Sequence, residues 1–200
     1  PECQPAGSIR RLCAMGVVVA IGHSAANSVQ VQQALDEGAS CFTHLFNGMT
    51  PMSAREPGVV GAALDSTAWC GLIADGHHVH DAMLRVATRA RPVPDRMVLV
   101  SDAMATTHGP DRFDLYGETI AVVEGKLTNE AGSLAGAHID LAHAVQRMIN
   151  QVGIDPTQAL RMATGNPAAL MGLSASVGEL RVGAAAHLIL LNAQWAVQTA

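Results

Sequence analysis

Val17-Val18-Val19-Ala20-Ile21-Gly22-His23-Ser24 is an apolar, β-branched run that ends in a histidine. An unbroken run of this kind reads as a strand buried on both faces, the pattern of parallel sheets covered by helices. The pattern returns as Ser40-Cys41-Phe42-Thr43-His44-Leu45-Phe46-Asn47, with the second histidine 21 residues after the first. Gly71-Leu72-Ile73-Ala74-Asp75-Gly76-His77-His78 and Met97-Val98-Leu99-Val100-Ser101-Asp102 repeat it twice more. Helical stretches lie between. Ile9, Leu12 and Cys13 space a helix over Ala6 to Met15, stopped by Gly16. Asn27 caps a second that runs to Glu37 and ends at Gly38. His80 to Arg91 is a third, with Met83, Leu84 and Val86 expected inside and Pro92 and Pro94 stopping it. Strand and helix in regular alternation predict a parallel sheet. The expected fold class is α/β: part of a TIM (β/α)8 barrel, made of its C-terminal strands and helices.

The rhythm is interrupted in three places. Asn47 to Gly61 reads as one long loop punctuated by Pro51, Pro57 and Gly58, and loops of that length are usually functional. Phe113 to Leu127 reads as an inserted β-hairpin around Tyr116-Gly117-Glu118 and Glu124-Gly125-Lys126. Helices follow over Ile139 to Val152, Asp155 to Ala163 and Pro167 to Met171, and Gly178 to Leu191 returns to strand. The expected division is a barrel portion over 1–177 and a C-terminal β segment of a small β domain over 178–200.

Of the 200 residues, 49% are hydrophobic and 14% charged, enough to bury a sizeable core with only six aromatic side chains. A net charge of −5 argues against nucleic acid and against an anionic membrane surface as partners. The longest apolar run, Leu12 to Gly22, is far too short to span a bilayer. Arg10 and Arg11 before it imitate a signal peptide, but no A-x-A-like cleavage site follows. Cys3, Cys13, Cys41 and Cys70 show no C-x-x-C spacing and read as reduced thiols of a cytoplasmic protein.

Residues that end parallel barrel strands rise at the rim where such barrels hold their active sites. His23 and His44 end consecutive strands at matching positions, and paired imidazoles there are candidate ligands of a divalent metal. Asp102 ends the fourth strand as a candidate general base. A buried carboxylate there needs a cation or strong donors to remain charged. In the crowded Asp75-Gly76-His77-His78-Val79-His80 segment, His78 is the histidine expected to reach the mouth. Arg55, in the longest loop of an acidic protein, is a candidate for gripping an anion such as phosphate. Gly132-Ser133-Leu134-Ala135-Gly136 reads as the opening of a helix whose backbone N–H groups are available to a ligand.

Gly22-His23-Ser24, Thr43-His44-Leu45-Phe46-Asn47-Gly48-Met49, Arg55-Glu56-Pro57-Gly58, Ala74-Asp75-Gly76-His77-His78-Val79, Ser101-Asp102-Ala103 and Gly132-Ser133-Leu134-Ala135-Gly136 occur in fixed order. Together they resemble the N-acetylglucosamine-6-phosphate deacetylases of the amidohydrolase superfamily. Gly178-Glu179-Leu180-Arg181-Val182-Gly183 resembles that superfamily's closing segment, with His187 where an Asp is usual. The resemblance implies hydrolysis of the acetamide of N-acetylglucosamine 6-phosphate to glucosamine 6-phosphate and acetate. It implies His23 and His44 on a divalent ion (zinc, or iron or another such metal) and Asp102 as catalytic acid and base. Asn47, Gly48, Arg55, His78 and the Leu134, Ala135 and Gly136 turn would bind the phosphorylated amino sugar, in a homodimer.

The resemblance also implies a Glu metal ligand in an upstream His-Leu-Glu-Gly-Pro-like motif, which this sequence lacks. With Pro1 rather than Met at its start, the chain is expected to be the C-terminal part of a longer enzyme that alone binds metal weakly. A different amidohydrolase, or a metal-free fragment with a structural or binding role, are the competing readings.

Overall fold

The structure, a computed structural model, describes residues 1–198. Helix α1 (Ser8–Ala14) leads into strand β1 (Ala20–Ile21), and helix α2 (Ser28–Asp36) into β2 (Cys41–Phe42). Helix α3 (Gly58–Asp65), strand β3 (Trp69–Leu72), helix α4 (Asp81–Ala90) and strand β4 (Met97–Leu99) complete the alternation. The four strands form one parallel sheet in chain order, as the repeated apolar runs predict. Ala20 lies beside Cys41, Cys41 beside Trp69 and Cys70 beside Met97, so the polar residues that follow each strand emerge at one end.

Local chemistry explains the helices. Asn27 accepts from the Gln30 N–H while the Gln30 side chain accepts from the Asn27 N–H, a capping box that starts α2. His80 Nδ1 accepts from the Ala82 N–H at the start of α4. The inward face of α4 is Leu84, Ala87, Thr88 and Arg91, whereas Met83 and Val86 stand on the exposed side. The expectation for those two residues is corrected by the helical period itself: Leu84 with Ala87, Thr88 and Arg91 is the i, i+3, i+4, i+7 stripe. Arg91 is 4% exposed and donates to the carbonyl oxygens of Ala63 and Ala68, tying the end of α4 to α3 and to the turn before β3.

Two further expectations are corrected in the same half. Val17 and Val18 are exposed rather than buried on both faces, and regular pairing begins only at Ala20. The long loop is shorter than expected, because α3 already begins at Gly58. Its first amides find side-chain acceptors: Glu56 Oε1 takes the Gly58 N–H at 2.9 Å and Thr50 Oγ1 takes the Val59 N–H at 2.8 Å. These caps let Val59, Val60, Ala63 and Leu64 turn into the core.

After β4, strands β5 (Arg112–Leu115), β6 (Glu118–Val123) and β7 (Lys126–Thr128) form a separate antiparallel sheet. Its two turns, Tyr116-Gly117 and Glu124-Gly125, have positive φ at both positions, as tight hairpin turns require. Helix α5 (Leu141–Arg147) passes into a wider turn over Met148–Val152, and α6 (Pro156–Ala163) and α7 (Gly165–Leu170) follow. Asn166 Nδ2 donates to the Met97 carbonyl at 2.7 Å, fixing α7 to β4. Phe42, Leu72, Leu84, Met97, Met148 and Met162 join sheet and helices in one continuous core.

The expected C-terminal strand does not form. Among the described residues after Gly178, the ladder is reduced to a single bridge between Leu191 and Val197. Leu180, Val182, Leu188, Ile189 and Leu190 are exposed. Apolar character alone does not make a strand without a neighbouring edge to take its hydrogen bonds.

Candidate active site

His23, His44 and Asp102 line one cavity of about 540 Å³ at the C-terminal ends of the parallel strands, with Gly22, Thr43 and Val100 beside them. The two imidazole rings meet edge to face, with centroids 4.7 Å apart. His23 has φ 44° and Asp102 has φ 49°, both left-handed. Non-glycine residues hold that conformation at a cost of about 1–3 kcal/mol, and such positions cluster at functional sites.

The backbone around His23 is cross-tied. The Ser24 N–H donates to the Gly48 carbonyl at 2.8 Å, and the Thr50 N–H returns to the Ser24 carbonyl. Ser24 Oγ donates to Glu2 Oε2 at 2.7 Å and the Ala25 N–H to Glu2 Oε1 at 2.6 Å. The Ser24 hydroxyl chiefly holds the Glu2 carboxyl down at about 2, against the opposing effect of burial. This carboxylate anchor beside His23 has no signature in local sequence.

After β2, Asn47 folds back to donate to the carbonyls of His44 and Leu45, both at 3.3 Å, which shapes the turn after His44. The Leu45 N–H donates to the Gly71 carbonyl at 2.8 Å, and a Cβ at Gly71 would stand 3.2 Å from the His44 amide nitrogen. Glycine at 71 is what lets the His44 turn close on β3.

Asp102 is exposed, so the expectation of a buried carboxylate needing a cation is corrected. Its carbonyl accepts from the Ala137 N–H at 2.8 Å. Gly136 packs against that carbonyl and Met104, bringing the Leu134–Gly136 turn beside Asp102. That turn does not open a helix: α5 begins at Leu141, and the Ala135 N–H is spent on the Leu127 carbonyl. The hairpin insertion captures this segment, with Leu134 bridging Thr128.

Arg55 and His78 do not line the cavity. Arg55 is exposed in its loop. His78 is half-buried, with Nδ1 2.6 Å from Asp75 Oδ2. Burial alone would raise the Asp75 carboxyl, but hydrogen bonds from the His78 ring and the His77 and His78 amides outweigh it and hold it at about 2. The spacing Asp-Gly-His-His carries the signal for this turn, since Asp readily accepts from amides two and three residues ahead. Cys41, on the cavity wall, is pushed by burial to about 11 and Cys70 to about 12, so both are thiols rather than nucleophiles.

His44 Nδ1 is buried without a hydrogen-bond partner, as is Thr43 Oγ1 beside it. An orphaned imidazole nitrogen on one of two rings whose centroids are 4.7 Å apart fits a divalent ion shared by the two histidines. Among the described residues, no group of three or more His, Cys, Asp or Glu is arranged to hold a metal. The fit is therefore to two histidine ligands and not to a complete protein shell.

A model of the amidohydrolase family matches residues 9–200. Over 193 residues the chain is 39% identical to "N-acetylgalactosamine-6-phosphate deacetylase" of Escherichia coli O157:H7, covering 96% of this chain and 51% of that protein. It is 36% identical over 193 residues to "N-acetylglucosamine-6-phosphate deacetylase" of Vibrio furnissii, covering 96% and 48% respectively. The crystal structure of N-acetylglucosamine-6-phosphate deacetylase from Pasteurella multocida superposes with a TM-score of 0.91 at 36% identity, covering 96% of this chain and 51% of that one. The chain spans about half the length of these relatives.

Proposed function

The chain belongs to the amidohydrolase family, and from that premise we propose that it serves the metal-assisted deacetylation of an N-acetylated amino-sugar 6-phosphate, releasing acetate. The observation that carries this reading is the convergence of His23, His44 and Asp102 on one cavity at the strand ends. We further infer that the four-stranded sheet is a sector of a (β/α)8 barrel, in which this end is the catalytic one.

His23 and His44 would hold the divalent ion, zinc being the expected one. Bound there, such an ion polarises the amide carbonyl and lowers the pKa of water from about 16 to about 7. Asp102, exposed at the cavity, accepts the proton of the attacking water and returns it to the departing nitrogen, which is otherwise a poor leaving group. Asn47 and Gly48 shape the turn that receives the sugar, with the Leu134–Gly136 turn approaching from the Asp102 side. Arg55 recognises the phosphate and His78 the sugar. N-acetylglucosamine 6-phosphate is the favoured substrate. The galactosamine epimer is a second reading, favoured by the higher identity to a relative named for that sugar.

Acetate release from both N-acetylated hexosamine 6-phosphates, with and without added zinc, tests this reading. Zinc-dependent release that Asp102→Asn abolishes is the expected result. A preparation loaded with zinc at both histidines that releases no acetate from either sugar would overturn it for this chain.

A further inference from the structure

His78 has the most completely built surroundings of any candidate ligand residue outside the cavity. Asp75 Oδ2 faces its Nδ1 at 2.6 Å, and both side chains are only 6% exposed. The other carboxylate oxygen of Asp75 accepts the His77 and His78 N–H groups, each at 2.9 Å. An ionised carboxylate only accepts, so the short contact requires a proton on His78 Nδ1. His78 Nε2 makes no hydrogen bond among the described residues and is not one of the buried orphaned atoms.

The rest of the fold holds this turn in place. Arg147 Nε donates to the Ala74 carbonyl at 3.0 Å, and its terminal nitrogen pairs with Asp81 at 3.1 Å. The guanidinium lies against Gly76, where a Cβ would stand 2.5 Å from it. From the other side the β6–β7 turn approaches: a Cβ at Gly125 would lie 3.3 Å from His77 Nε2. Arg147, Asp81 and His77 thus surround the Asp75–His78 pair, but Asp75 is the charged group that touches the His78 ring.

We propose that Asp75 is a positioning residue for ligand recognition: it fixes His78 as the Nδ1–H form and leaves the Nε2 lone pair to accept from a ligand hydroxyl. The inference deepens the proposed function and rests on it only for the identity of that ligand. A carboxylate that holds a histidine in one tautomer acts through orientation and not through chemistry of its own.

Long-range 1H–15N spectra of the imidazoles, recorded on the full chain at about pH 8 where an ordinary imidazole is neutral, read the tautomer directly. The unsubstituted chain should carry the His78 proton on Nδ1. In Asp75→Asn the amide oxygen remains needed by the two backbone N–H groups, which turns its NH2 towards Nδ1. The His78 proton should then move to Nε2, the wrong-tautomer effect of removing such a carboxylate. An unsubstituted ring protonated on Nε2, or an unchanged tautomer in a folded Asp75→Asn chain, would overturn the proposal.

If Asp75→Asn fails to fold, titration of the unsubstituted chain with N-acetylglucosamine 6-phosphate, which carries hydroxyl donors, decides. The Nε2 resonance should move far more than the Nδ1 resonance, and equal movement, or none, overturns the proposal. Absence of deacetylation together with the Nδ1–H form and a sugar-responsive Nε2 counts against the proposed function and leaves the role of Asp75 standing.

Discussion

Gly48 lies directly against the His23 ring: a Cβ at position 48 would stand 2.8 Å from His23 Nδ1. The Gly48 backbone also has φ 59°, where a side chain is strained whatever the space around it. Gly48→Ala should therefore push the imidazole out of its place beside His44. Zinc affinity, measured by competition with a chromophoric chelator, should fall roughly 10–100-fold, the usual cost of disturbing what orients a metal ligand. Unchanged affinity would separate Gly48 from the metal centre.

Arg55 is exposed in its loop, and in the proposed function its guanidinium meets the phosphate end of the ligand. Its removal should weaken binding of the phosphorylated sugar and leave the unphosphorylated sugar alone. Losing a charge-assisted hydrogen bond of about 1.5–3 kcal/mol corresponds to roughly 10–100-fold in affinity. Calorimetry on Arg55→Ala with both sugars gives the ratio directly. If the ratio does not change, the phosphate is held elsewhere.

Asp75 links the candidate site to acid stability. Its carboxyl is lowered from 3.8 to about 2, so the unfolded chain binds this proton more tightly than the folded one. The resulting stabilisation, on the order of 2 kcal/mol, is complete above the unfolded value and is lost as the pH falls through about 2. Denaturant midpoints across the acid range should show this loss, and Asp75→Asn should flatten that part of the profile. Glu2, also lowered to about 2 by its bond with Ser24, contributes with the same sign.

Arg91 is a buried cation that serves backbone carbonyls instead of a carboxylate. Arg91→Leu leaves the Ala68 oxygen without its donor, whereas the Ala63 oxygen keeps the Ser66 hydroxyl at 2.9 Å. Each buried carbonyl left unpaired costs about 1–3 kcal/mol. Thermal unfolding should show a loss of about 1–3 kcal/mol, and zinc binding at the other end of the strands should be unaffected in the protein that remains folded. A Leu variant as stable as the original would mean that water replaces the guanidinium.

The sheet was legible because its strands are written as apolar runs that end on His23, His44 and Asp102, residues that the fold then gathers at one cavity. Asn27, and Asp155 at the head of its stretch, announced two helix starts through chemistry confined to a few neighbouring positions. Helix α3 was hidden because Pro57 and Gly58 read as loop punctuation, while its caps come from Thr50 and Glu56. The Glu2–Ser24 anchor and the Arg147–Ala74 contact join residues 22 and 73 positions apart, and no local period encodes them. The Gly178 to Leu191 stretch misled for the converse reason: its residues suit a strand, but strand formation is decided by a partner edge.

The left-handed backbone at His23 and Asp102 sets folding and chemistry against each other at two defined places. Glycine or asparagine would relax either position, yet would remove an imidazole or a carboxylate from the cavity. A laboratory selection that rewarded only soluble expression should let codons 23 and 102 drift along with the left-handed Tyr116 and Glu124 of the hairpin turns. Reintroducing a demand for acetate release should reverse the drift at codons 23 and 102, which makes these two codons a record of whether a population is still being asked to catalyse.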